Sequence, residues 1–137
     1  MVQTMSAPRR RKGATTVEMA VALPLLLGLT FGLIEYGWMF LKVQQITGAA
    51  RVGARVAILP DATDAHVRDV IAQEMTDAGM PDYTLTFTPA DITAPGPGEP
   101  VKVYISVQYE ERYGLGMPLV PVPQDLHAFV TMSKEGP

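Results

Sequence analysis

The chain contains no cysteine, which removes disulfide frameworks and thiolate chemistry from consideration. Charged side chains make up only 18% of its 137 residues, and histidine occurs just twice. His66 and His127 stand far apart, with no second histidine at ligand spacing, so no metal centre is expected. Asp61 and Asp64 lack the acidic repeat and glycine of a calcium loop. No phosphate-cradling glycine loop and no nucleophile motif occurs, because the glycines of the C-terminal half fall in proline-rich stretches. These absences leave no cofactor and no catalytic residue to name. The chain does not read as an enzyme.

The charges that are present are unevenly placed. Arg9, Arg10, Arg11 and Lys12 form a basic stub with no acid, whereas from Val43 onward twelve acidic residues face six basic ones. A basic stub on an acidic body argues against nucleic acid, which would require the larger part to be basic. Between them, Met19 to Leu41 is a run of 23 residues whose one charge is Glu35. As a helix it would span roughly 34 Å, enough for a bilayer's hydrocarbon core. The basic cluster precedes this run and only Lys42 follows it directly, which places residues 1–13 in the cytoplasm and the remainder outside. A removable secretory signal has the same layout. Its apolar core would be about 7–15 residues long. Here the nearest small-residue site, Gly48-Ala49-Ala50, lies several residues past a longer run.

The junction reads Arg-Arg-Arg-Lys-Gly13-Ala14-Thr15-Thr16-Val17-Glu18. Thr15 and Glu18 have the spacing of a capping box, in which both side chains satisfy free N–H groups at a helix start. A glycine after a basic cluster, with an acid five residues on, also resembles a type IV prepilin processing site. That resemblance implies a membrane peptidase cutting after Gly13, with Ala14 as the new N-terminus. Glu18 would then register each new subunit against the N-terminal amine of a neighbour. A carboxylate entering lipid is costly unless it is paired, which fits such a role. Ala14 departs from the pattern, since many type IV pilins carry a larger apolar residue there.

Four further segments follow in one order: Val17-Glu18-Met19-Ala20, Leu23-Pro24-Leu25-Leu26, Ile34-Glu35-Tyr36-Gly37, and Ala49-Ala50-Arg51-Val52-Gly53-Ala54-Arg55. The succession resembles the TadE-like family, pilin-like proteins of the tight-adherence (Flp-type) pilus system. The specific likeness covers about residues 9–58. It implies a pilin-like component of pilus assembly, with the bilayer, a prepilin-type peptidase and other pilin-like subunits as partners.

Within the run, Pro24 removes a backbone hydrogen bond and would kink the helix. Gly28 and Gly32 form a GxxxG, which permits close approach of a partner helix. Glu35 is either a pairing group or a side chain reaching for the outer interface. Beyond Lys42, apolar residues at Val43, Ile46, Ala50, Val52, Val56 and Leu59 keep helical spacing until Pro60. One helix over residues 14–59, with its membrane span about 19–41, is therefore expected.

The remainder, 60–137, reads as a small head. Asp61-Ala-Thr-Asp64 offers a helix start, and Val67, Val70, Ile71, Met75 and Ala78 form its apolar stripe up to Gly79. Alternating residues predict strands at Tyr83–Thr88, at Val101–Tyr109 and from Leu126 to Met132. The apolar loop from Tyr113 to Pro123 either covers the head's own core or forms a docking surface. The expected fold is α+β: a transmembrane helix continuing into an amphipathic one, packed on an antiparallel three-stranded sheet with one extra helix. The expected function is that of a minor pilin or pseudopilin in assembly of a tight-adherence type pilus. The other readings are a permanently anchored extracytoplasmic binding protein and a pseudopilin of a type II-like secretion machine. Each places the chain in the cytoplasmic (inner) membrane with its C-terminus outside.

Overall fold

The computed structural model of the chain describes residues 11–109 and 121–136. Arg9, Arg10 and most of the apolar loop from Tyr113 to Pro123 lie outside the described residues. The order of elements is α1 (Arg11–Ala57), α2 (Asp64–Asp77), β1 (Thr84–Thr88), β2 (Pro100–Gln108) and β3 (Asp125–Ser133). This is the expected α+β architecture.

The helix α1 has 47 residues and runs through Pro24 uninterrupted, giving a rod of roughly 70 Å. Gly13, Ala14, Thr15 and Glu18 all lie within its described part. Gly13 is a single glycine within the helix. Its cost of about 1 kcal/mol is too small to break a helix this long. At the other end the chain leaves helical geometry ahead of Pro60, and Lys134 closes the helix. Its Nζ donates to the carbonyls of Ala57 and Ile92, both at 3.2 Å. A cation at a helix C-terminus also meets the negative end of the dipole.

Thr63 caps α2, its hydroxyl accepting from the His66 N–H, and Asp64 pairs with Arg68 at 2.6 Å. Gly79, at φ +69°, ends the helix in the left-handed region, and the Met80 N–H returns to the Met75 carbonyl at 2.8 Å. The sheet order is β1-β2-β3, antiparallel throughout, with Phe87 opposite Val103 and Ile105 opposite Ala128.

Alternation along the strands sends Val101, Val103, Ile105 and Val107 inward with Leu126, Ala128 and Phe87. They meet Ile46, Ala49, Ala50, Ala54 and Ala57 of α1 and Val67, Ile71 and Met75 of α2. Small residues on α1 let these layers approach closely. Gly53 is the tightest point, where a Cβ would overlap the Ile71 side chain.

Candidate functional site

The residues singled out by the sequence all lie on α1, but in two unlike surroundings. From Gly13 to Thr30 no residue of the helix is buried. Gly13, Ala14, Glu18 and Pro24 are exposed there, and nothing lies within 4 Å of where a Cβ on Gly13 or Gly28 would be. Glu18 stands one turn beyond Ala14, on a shaft whose large apolar side chains point outward on every side. This is the one described helix long and apolar enough to cross a membrane. Only 6% of its most apolar window is buried, so that window lies outside the head's core.

At Gly32 the surroundings change. Gly32 is buried, whereas Gly28 is partly exposed. Glu35 is only 2% exposed, and the Tyr109 hydroxyl donates to its Oε1 at 3.3 Å. On the next residue the Tyr36 hydroxyl donates to the Pro121 carbonyl at 3.1 Å. The lower end of the head is thus tied to the helix at two consecutive positions. Burial, then the neighbouring charge and hydrogen bond of Glu35, push the Tyr109 phenol up to about 12. The hydroxyl that meets Glu35 comes from the chain's own head.

Two turns further on, Lys42 is buried, its Nζ donating to the Ala78 carbonyl at 2.8 Å and lying 5.1 Å from the Trp38 ring. Burial lowers its pKa, while the carbonyl at the end of α2 and the aromatic face compensate the charge. Sequence reasoning read Lys42 only as the residue that ends the apolar run. A signal for its burial was present. The core stripe Ile46, Ala49, Ala50 and Gly53, continued backward at helical spacing, passes through Lys42, Met39, Glu35 and Gly32.

The two histidines lie on exposed positions, and His127 stacks on Tyr104 with ring centroids 5.8 Å apart on the outer face of the sheet. Among the described residues, no three His, Asp or Glu side chains converge as a metal site would require.

No curated protein and no solved structure matches the chain. The stretch carrying the glycine junction, Glu18, the bare shaft and the small-residue stripe under the head, residues 13–55, matches the family model described as TadE-like protein, the family its motifs resemble.

Proposed function

We propose that the protein is a pilin-like component, a minor pilin or pseudopilin, that works by assembly into a tight-adherence type pilus and performs no catalysis. The observation that carries this reading is the division of α1. A bare apolar shaft bearing Gly13 and Glu18 is continuous with a segment clasped by a small α+β head. The family match over residues 13–55 supports it.

The span sits closer to the N-terminus than 19–41, because a helix face covered by the head at Glu35 and Lys42 is not facing lipid. Residues 13–34 would cover roughly 33 Å, which suits the hydrocarbon core. Tyr36 and Trp38, each over a third exposed, then fall at the outer interface where amphipathic aromatics concentrate. The basic residues before Gly13 hold the N-terminus in the cytoplasm and the head outside the inner membrane.

On this placement Glu18 lies within the lipid, near the cytoplasmic face. After a prepilin-type peptidase cuts behind Gly13, the freed amine of Ala14 on a neighbouring subunit offsets the desolvation of that carboxylate. Glu18→Gln tests this, since it keeps size and removes charge. The variant should insert and be trimmed, yet fail to support pili and to co-purify with other pilin-like subunits. Normal piliation under native expression would instead favour a permanently anchored binding protein. That reading draws on the exposed Phe129 and the Tyr104–His127 stack on the outer sheet face.

A further inference from the structure

We propose that the free edge of β1, with the groove between it and α2, accepts an extended segment of another protein as a fourth strand, one in which apolar and basic residues alternate. The helix α1 packs on β3, β2 and α2, whereas the one element whose backbone adjoins β1 is β2. Among the described residues, no group outside the β2 ladder hydrogen-bonds the backbone of Thr84–Thr88. That edge also lacks the usual protections against strand addition. Its sequence, Thr-Leu-Thr-Phe-Thr, has no charge and no proline.

Beside the edge lies a groove of about 410 Å³ lined by Arg68, Asp69 and Ala72 of α2 and by Pro81, Tyr83 and Leu85. An added strand would send alternate side chains into this groove, where half-buried Tyr83 and Leu85 offer apolar contact. Its other side chains would join the threonine face of β1. Charge selects the occupant. Arg68 is already engaged, paired with Asp64 and lying 4.8 Å from the Phe87 ring. With Arg68 so engaged, the exposed carboxylate of Asp69 leaves the groove acidic, which suits lysine or arginine on the incoming strand.

A second copy fits poorly. β3 runs from the region of Pro121, beside Tyr36, to Lys134, beside Ala57, in the same sense as α1. Both β1 and β3 are antiparallel to β2, so β1 shares that sense. Twofold pairing of two β1 strands is antiparallel and would point the two anchors in opposite directions. This last step rests on the membrane reading, while the open edge does not.

The test uses the full chain in detergent and a synthetic peptide of alternating valine and lysine. Binding should be saturable and should protect the amides of Thr84–Thr88 from hydrogen exchange. Methylating alternate peptide nitrogens should weaken it by about tenfold or more, since main-chain pairing carries the affinity. Asp69→Lys, an exposed change on α2, should weaken it too and shift preference to a valine–glutamate peptide. Leu85→Lys should block the groove. Unprotected β1 amides at saturating peptide, or equal binding of the methylated peptide, would overturn the proposal. So would cross-linking of two copies through Thr86→Cys in membranes without peptide, which would make a second copy the occupant.

Discussion

From Val17 to Leu29 the large apolar side chains of α1 are between 46% and 77% exposed, while Ile46, Ala50, Ala54 and Ala57 of the same helix are at 0%. The two halves share backbone geometry and differ in what surrounds them. The bare half is rich in Leu, which suits a helix whose neighbours are lipid tails or other subunits. The clasped half is rich in Ala and Gly, because its own sheet and α2 must come within packing distance. Side-chain size along one helix therefore separates the part that carries the head's stability from the part the head leaves bare.

The comparison predicts unequal costs for equal truncations. Ile46→Ala removes a fully buried side chain from the centre of the head and should cost about 2–5 kcal/mol in denaturant unfolding. Leu25→Ala on the bare shaft should leave that midpoint unchanged. Equal losses at the two sites would break the distinction. A smaller contrast comes from adding volume. Gly53→Ala drives a Cβ into Ile71 and should cost about 1–3 kcal/mol, while Gly28→Ala meets open space and should cost the head nothing.

Much of this division was legible in the sequence. The helix expected to end at Leu59 ends at Ala57, and all three strands lie where alternation predicted them. Local periodicity reports such features because each is decided by residues a few positions apart. The contacts that sequence reasoning missed are long-range. Glu35 meets Tyr109 across 74 residues, and Lys134 reaches Ala57 across 77. Lys42 marks only the end of the apolar run in the sequence, because nothing local announces the Ala78 carbonyl that satisfies it.

The boundary between the halves can be sharpened by pH. The Tyr109 phenol is raised to about 12 against an ordinary value of 10.0, so the folded head holds a proton that the unfolded chain has lost between these values. Stability should be undiminished by this group below pH 10 and fall as pH rises from 10 toward 12. Tyr109→Phe should flatten that alkaline decline. An unchanged decline would remove Glu35 and Tyr109 as the latch at the head's lower end. A small effect on the head is also expected for Glu18→Gln, which should stay within about 0.5 kcal/mol of the parent in unfolding, as an exposed position does. A larger change would mean that Glu18 supports the fold of the isolated chain and would weaken its assignment to subunit registration.

The N-terminus of the native protein, read by intact mass after extraction from its own membranes, tests the role of the bare shaft most directly. The prediction is a chain beginning at Ala14, with the bare shaft retained and its amine free to meet a neighbour's Glu18. A chain that keeps Arg9 to Gly13, or one that begins at Arg51 and has lost the shaft, would contradict it.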